Sequence, residues 1–261
     1  MKLDKFFRAF APIVAVAMAA GVSGCDSGNI SINGEKGKPL AELDLTGTPP
    51  QEVVLLGPDE VRVTTGDKLA ITVEGDPAAT EKLRFTLKDG ALGVMREGKS
   101  FGLGGDDGRA IVNVTMPAPR TLTMAGSGKI SAAALAQAAE ITIAGSGDIE
   151  TPGVASDSLD LTIAGSGSYR GAGNVKQLKL NIVGSGSATA DALKAETADL
   201  TIAGSGNATF ASDGTVKANI VGSGSVTVRG RATCTVEAMG SGKLVCEPGN
   251  GPAAGAEAKA G

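Results

Sequence analysis

The sequence predicts an all-β protein whose second half is a parallel β-helix of about seven coils, preceded by a β-rich N-terminal head. Three observations predict this fold. The tripeptide Gly-Ser-Gly occurs seven times at a nearly constant spacing, each copy follows a short run of alternating apolar and polar residues, and only 3% of the residues are aromatic. Self-similarity at a fixed period is typical of repeat architectures.

The repeated tripeptide marks one position in each coil. Its copies start at Gly126, Gly145, Gly165, Gly184, Gly204, Gly222 and Gly240, which are 19, 20, 19, 20, 18 and 18 residues apart. Each copy follows an alternating run such as Ile141-Thr142-Ile143, the pattern of a half-buried strand. The alternation places both glycines on the inward face and the serine on the outward face, and glycine within a strand marks a bend or a close backbone approach.

A single coil of this length cannot bury its own apolar side, whereas stacked coils share one continuous core. At the ~4.8 Å spacing of neighbouring strands, the stack is a rod roughly 30 Å long. A meander of hairpins, each with Gly-Ser-Gly at its tip, has the same alternation and stays open as an alternative fold. The single period shared by all copies favours stacked coils.

Composition limits the possible functions. The 261-residue chain is 42% hydrophobic, with 39 glycines, one tyrosine and no tryptophan, so its core is built from Ala, Val, Ile and Leu. A formal charge of −4 gives no electrostatic reason to expect a nucleic-acid partner. The absence of histidine excludes imidazole catalysis and histidine metal sites, and we expect no metal and no cofactor.

Residues 1–24 have the features of an export signal, with three basic residues ahead of an apolar run that is too short to span a membrane. The following Val22-Ser23-Gly24-Cys25 resembles the lipobox of bacterial lipoproteins. The resemblance implies lipidation of Cys25 and attachment to a membrane. The expected location is the bacterial cell envelope, at the inner or outer membrane facing the periplasm or at the cell surface. An ordinary signal followed by an unrelated cysteine is the alternative.

The remaining chain divides into four predicted parts. Residues 25–38 are a lipidated, flexible tether rich in Gly, Ser and Asn, and residues 39–119 form the β-rich head. The Gly-Ser-Gly β-helix occupies residues 120–247, and residues 248–261 are a disordered tail rich in Ala, Gly and Pro.

Several motifs together resemble the head GIN domain family of bacterial envelope proteins, described as putative auto-transporter adhesins. They are the lipobox, Val61 to Gly66, Gly75-Asp76, the strand Val112 to Pro117 and the Gly-Ser-Gly repeats. The resemblance covers roughly residues 40 to 246. It implies a right-handed, single-stranded parallel β-helix like that of the pectin lyases, and a role in adhesion.

Stacked coils align equivalent side chains into columns on the surface. The outward serines form one column, a possible contact ladder for an envelope glycan or protein: Ser127, Ser146, Ser166, Ser185, Ser205, Ser223 and Ser241. The third residue before each motif forms a second, mostly hydroxylic column: Thr123, Thr142, Thr162, Asn181, Thr201, Asn219 and Glu237. The plainer explanation is that Ser and Thr suit exposed bends and strands.

A third column carries charge, at the fifth residue before the motif. It contains Glu140, Asp160, Lys179, Asp199 and Lys217, so that opposite charges alternate after the first pair. Glu140 beside Asp160 is a like-charge pair, which suits a cation or a catalytic carboxylate dyad. Two solvated surface acids are the plainer interpretation, and we predict no catalytic residue.

Cys234 and Cys246 both have inward parity in the last coil. In an exported protein they predict a disulfide that fastens the end of the stack, where fraying begins. Two small buried thiols are the alternative.

These observations predict a membrane-anchored, non-catalytic structural or interaction module of the envelope, an adhesin in the terms of the resembling family. The alternative is a carbohydrate-active enzyme or glycan-binding protein on the same scaffold. A catalytic role would require a groove with convergent acids and a base.

Overall fold

The structure of the chain, a computed structural model, describes residues 31–32, 35–97 and 108–248. Several predicted features lie outside the described residues: the signal peptide, Cys25, the start of the tether and residues 249–261 of the tail. Strands dominate the described part, which forms a β-solenoid of about seven turns.

In the described part of the chain, the head contains six strands, a 3-10 turn (Leu40–Glu42) and one short helix, α1 (Pro77–Thr80). Two short strands precede it, β1 (Ser31–Ile32) and β2 (Glu35–Lys36). The strands of the head are β3 (Glu52–Leu56), β4 (Glu60–Thr65), β5 (Ala70–Gly75), β6 (Leu83–Lys88), β7 (Ala91–Arg96) and β8 (Ala110–Met116). The alternating run at Leu43-Asp44-Leu45 also predicts a strand, but no strand forms there.

The repeat region consists of coils that run from one glycine corner to the next, each made of one long bent strand or two shorter ones. These strands are β9 (Thr121–Gly126), β10 (Lys129–Ala132), β11 (Ala138–Gly145), β12 (Asp148–Gly165), β13 (Ser168–Gly184), β14 (Ser187–Gly204), β15 (Asn207–Gly222), β16 (Ser225–Gly230), β17 (Thr233–Gly240) and β18 (Lys243–Pro248).

Neighbouring coils pair in parallel and in register. Gly145 pairs with Gly165, Gly165 with Gly184, and the pairing continues in this way to Gly240. Parallel pairing at every step excludes hairpins, whose strands are antiparallel. The predicted stack of coils is therefore confirmed, and the hairpin meander is wrong.

The corners show why the repeat needs glycine. The first glycine of each Gly-Ser-Gly has a positive φ, between 110° and 127°. A Cβ added at Gly145 would lie 2.6 Å from the carbonyl oxygen of Gly126 in the coil below. That oxygen accepts a hydrogen bond from the N–H of Ser146 at 2.9 Å, so the backbone ladder continues through the corner.

The interior contains aligned columns of aliphatic side chains. The inward residue two positions before each corner is completely or almost completely buried from Met124 to Ile220, through Ile143, Ile163, Ile182 and Ile202. Loss of apolar contact with water is the main stabilising contribution from such a column.

Tyr169 is the largest fully buried side chain and lies between Ile149 and Ala188 in neighbouring coils. Its hydroxyl is 2.7 Å from the Thr151 hydroxyl. Burial raises the pKa of Tyr169 to about 12, although the hydrogen bond to Thr151 lowers it slightly.

Tyr169 is the single tyrosine of the chain, so its titration can be followed by phenolate absorbance. We expect no phenolate in the folded protein until the pH approaches 12, because the interior disfavours the charged form. The denatured chain should titrate near pH 10. A native titration near pH 10 would show that Tyr169 is exposed to water.

The head continues the stack. β3 and β4 pair in parallel with β9 and β10, and β7 and β8 pair in parallel with β3 and β4 on the other side. Antiparallel pairing begins only with β5 and β6, at the end of the stack. One hydrophobic core therefore extends from the head through the repeats.

A buried ion pair supports the head. Asp59 is fully buried at the corner between β3 and β4, and one of its oxygens accepts a hydrogen bond from Arg96 Nε at 3.0 Å. The other oxygen contacts Arg96 Nη2 and accepts the N–H of Ala110 at 2.9 Å. Asp59 thereby links the first corner of the stack to the ends of β7 and β8.

Part of the predicted flexible tether lies against the head. β1 and β2 form a small antiparallel pair, and Ile32 packs against Val54 and Met95. Lys38 exchanges two backbone hydrogen bonds with Phe85, of 2.8 and 2.7 Å. The buried side chain of Ile32 attaches this stretch to the head, although the polar composition of the stretch predicts a flexible tether.

A disulfide joins Cys234 in β17 to Cys246 in β18, with 6.7 Å between their Cα atoms. It closes the corner of the last coil. Among the described residues, β17 and β18 each pair with the preceding coil only. A loop of this length contributes on the order of 3 kcal/mol in the chain-entropy description of disulfides. Pro248, predicted to begin the tail, ends β18.

Candidate functional site

The seven corner serines form an exposed column along the solenoid. All of them are exposed: Ser127, Ser146, Ser166, Ser185, Ser205, Ser223 and Ser241. Their hydroxyls form no hydrogen bond with other described residues, whereas the N–H groups of the middle serines are held by the glycine carbonyls of the preceding coil. The backbone therefore fixes the spacing of the column.

A flat sheet surface lies beside the corners, on the outer side of β3, β9, β11, β17 and the last part of β12 to β15. We call this surface the ladder face. Three outward columns cross it, two residues apart along each strand, as the alternation of side chains requires.

The first is the charge column, which the structure extends into the head. Its members are Glu52, Thr121, Glu140, Asp160, Lys179, Asp199, Lys217 and Thr235. The residues from Glu140 to Lys217 are exposed, and among the described residues they form no ion pair within 4.0 Å.

The second is the polar column: Val54, Thr123, Thr142, Thr162, Asn181, Thr201, Asn219 and Glu237. The sequence predicts it as a hydroxyl surface beside the serines. Its four threonines are half-buried instead, and Asn181 is buried, because the columns on both sides shield them, whereas Asn219 and Glu237 are exposed.

The third is the small column, which sequence reasoning missed. It lies between the polar column and the serines: Leu56, Ala125, Ala144, Ala164, Val183, Ala203, Val221 and Met239. Parity alone could have found it, because the residue before each corner has the same outward position as the threonine two residues earlier. Met239 at its end is 59% exposed.

The predicted carboxylate pair is brought together, since Glu140 and Asp160 are direct neighbours on β11 and β12. Both side chains are exposed on the flat ladder face. A shallow groove of about 440 Å³ lies elsewhere, lined by residues that include Asp157, Lys176 and Glu196. Glu140 and Asp160 do not line this groove, and Asp157 in the groove is held by Lys176 at 2.7 Å.

Glu52 belongs to the same electrostatic group, which the sequence does not indicate. Burial raises the pKa of the Glu52 carboxyl above its ordinary value, and the negative charge of Glu140 raises it further. The folded state therefore favours protonated Glu52. Protonation of Glu52 in the folded state stabilises the protein below the unfolded-state pKa of about 4.3. This stabilisation is lost as the pH rises through the higher folded-state pKa of Glu52.

We expect Glu52→Gln to stabilise the protein at pH 7, because the substitution removes a half-buried charge near Glu140, and solvent screening of this partly exposed group keeps the gain below about 1 kcal/mol. The advantage should disappear below about pH 4, where Glu52 is protonated in both states. Urea denaturation at both pH values measures this. The exposed Glu42→Gln is the matched control, and an equal gain from it would contradict the assignment.

No cluster of three or more Cys, Asp or Glu side chains suitable for a metal occurs within the described ranges. Within the same ranges, no helix has the length and apolar character needed to cross a membrane.

Comparison with known proteins places this geometry in context. Residues 49–232 match the family described as "Putative auto-transporter adhesin, head GIN domain". No curated protein matches the chain.

Several solved structures have the same fold. A putative adhesin from Bacteroides fragilis superposes with a TM-score of 0.64 at 16% identity, over 76% of this chain and 93% of that one. A putative lipid binding protein from Parabacteroides distasonis gives 0.60 at 22% identity, over 77% and 93%. A putative adhesin from Parabacteroides merdae gives 0.60 at 18% identity, over 76% and 92%. These likenesses show the shared fold.

Proposed function

Because the chain belongs to the family of putative auto-transporter adhesins with a head GIN domain, we propose that it is an adhesin-like envelope lipoprotein that makes contacts without a chemical step. Lipid on Cys25 anchors it, and the solenoid presents its columns to an envelope glycan or protein.

The column of corner serines is the observation that carries this proposal. Its hydroxyls are exposed, repeat at the ~4.8 Å strand spacing and sit on a backbone that hydrogen bonds hold in place. A rigid row of identical groups supports multivalent binding, in which many weak contacts add to a useful affinity.

The anchor is tested by metabolic labelling with radioactive palmitate. We expect label on the wild-type chain and none on Cys25→Ser, because the thioether and the new N-terminus both depend on that cysteine. Absence of label on the wild-type chain, or label that survives Cys25→Ser, would contradict the lipoprotein assignment.

The contact surface is tested with beads that carry the Cys25→Ser chain, mixed with envelope polysaccharide and with envelope protein. The test variant combines Ser166→Lys, Ser185→Lys and Ser205→Lys, which place bulk and charge on three adjacent corners. We expect this variant to lose most of the binding.

The matched control combines Ala155→Lys, Asn174→Lys and Ala192→Lys. These residues are equally exposed, and two of them line the shallow groove. Binding that survives the serine variant but is lost in the control would move the contact to the groove and contradict the assignment to the serine column.

A further inference from the structure

The ladder face is a second surface, distinct from the corner serines. At its head end the face is already covered by protein, because Ile32 of the β1–β2 hairpin packs on Val54 and Met95, with Leu56 at the edge of the contact. These residues belong to the polar and small columns or extend them into β7. From β11 to β17 no described residue covers the same columns.

From the pattern of side chains along the three columns, we infer that the ladder face binds a second copy of this chain. The two solenoids pack face to face and run in opposite directions. The twofold axis is parallel to the strands and passes between the coil of Lys179 and the coil of Asp199.

Charge complementarity fixes this register. An axis parallel to the strands makes each column face itself in reverse order. Lys179 then meets Asp199 of the second copy, and Asp160 meets Lys217 of the second copy. The twofold axis repeats each of these two contacts, so four pairs of opposite charges form and no pair of like charges forms. These exposed charges form no ion pair within 4.0 Å in the described part of one chain.

The small column is self-complementary in the same register. Val183 faces Ala203 of the second copy, and Val221 faces Ala164. Met239, the most exposed large apolar residue of the face, lies opposite Ala144. Each larger side chain thus meets an alanine, which allows two sheets to interdigitate at the usual ~10 Å separation.

The polar column also matches. Asn181 faces Thr201 of the second copy, and Asn219 faces Thr162. An amide has both donors and an acceptor, and a hydroxyl can serve as either, so the exposed Asn219 can form a hydrogen bond with Thr162 of the second copy, whereas Asn181 is buried between the neighbouring columns.

Other arrangements lack this agreement. A shift by one coil brings Lys179 opposite Lys179 or Lys217 of the second copy, and places aspartates opposite each other. An axis along the solenoid instead places the charge column over the small column, so that charges are buried against Ala and Val without partners.

The size of the face predicts a weak dimer. Six coils at ~4.8 Å and three outward residues at ~6.8 Å give roughly 600 Å² per copy, or about 1,200 Å² for the two copies together, near the lower limit of specific interfaces. A glycan is the less suitable occupant of this face, because none of the three columns contains an aromatic residue for stacking on sugar rings.

The arrangement has a consequence that rests on the proposed lipid anchor. Because the two copies are antiparallel, their first described strands, β1, lie at opposite ends of the dimer, so this dimer suits two chains anchored in opposing membranes. The association itself depends on the ladder face alone, and neither the palmitate test nor the bead test bears on it.

Sedimentation velocity over a concentration series tests the inference with the full chain carrying Cys25→Ser. We expect a concentration-dependent dimer. Asp160→Lys and Lys217→Asp should each weaken it by about tenfold or more, because each variant creates two like-charge contacts. Arg170→Asp, an exposed change on the strand after the corner, should leave it unchanged.

Mixing the two variants is the decisive step. In a heterodimer the new lysine at position 160 faces the new aspartate at position 217, and the second contact keeps Asp160 opposite Lys217. We expect association to return in the mixture, which a folding defect in either variant could not produce. A monomeric wild-type chain at every concentration, or no recovery on mixing, would overturn the inference.

Discussion

Replacing Gly165 by alanine is expected to destabilise the protein by about 3 kcal/mol or more. Gly165 has a φ of 119°, which side chains rarely adopt, and a Cβ there would lie 2.5 Å from the Gly145 carbonyl oxygen. The backbone cannot move aside, because that oxygen accepts the N–H of Ser166 at 2.9 Å and the strands pair on both sides. The backbone strain at residue 165 and the overlap of the new Cβ with the Gly145 oxygen therefore both destabilise the Gly165→Ala variant.

Denaturant unfolding of Gly165→Ala against wild type measures the loss. Ser166→Ala is the matched control, since its side chain is exposed in the same corner, and it should change stability by no more than about 0.5 kcal/mol. If the two variants have equal stability, the corners do not have the close backbone approach described above.

Asp59→Ala should be the second large loss, about 3–5 kcal/mol, because it leaves a buried cation without its partner. Asp59 is fully buried, the Arg96 side chain is only 13% exposed, and the Ala110 N–H also loses its acceptor. The head should unfold more readily, and the first coils should lose protection from hydrogen exchange.

Asp157→Ala provides the comparison. Asp157 pairs with Lys176 at 2.7 Å, but both side chains are more than half exposed, so its loss should cost less than about 1 kcal/mol. If Asp59→Ala costs no more than Asp157→Ala, the ion pair in the head is not important for its stability.

The repeated half of the fold could be predicted because one constraint recurs in every coil. Gly165 and Gly184 occur in the same alternating frame, and a parity argument is enough to place Ser166 outward and Ile163 inward. Alternation alone did not predict whether the strands pair in parallel or antiparallel, because hairpins and coils have the same alternation. The parallel register of β11 with β12 decides it.

The head was harder to predict because its first corner lacks the repeated tripeptide. Gly57-Pro58-Asp59 takes the place of Gly-Ser-Gly, and Gly57 has the same positive φ as the other corners. Glu52 to Gly57 occupies the same columns as Glu140 to Gly145, but its continuous apolar run Val53 to Leu56 lacks the alternation of the repeats. Chain order also misleads, because β3 and β4 lie between strands that follow them in sequence.

The surface was predicted in part. Exposure of the serines follows from the alternation of the strand. The half-buried state of Thr162 depends instead on the neighbouring columns. One neighbour is Ala164, which a search for chemically active residues does not select. The complementarity proposed between Asp160 and Lys217 of a second copy depends on the register of every coil, which counting from the repeated tripeptide predicts and the structure confirms.

Distances between spin labels test most directly that the coils are stacked one on another. Labels on cysteines introduced at Ser127 and, in turn, at Ser185, Ser205 and Ser241 span three, four and six coils in the Cys25→Ser background. The stack predicts separations of roughly 14, 19 and 29 Å, which rise by ~4.8 Å per coil. Separations that do not increase with the number of coils would contradict the solenoid and the aligned columns that depend on it.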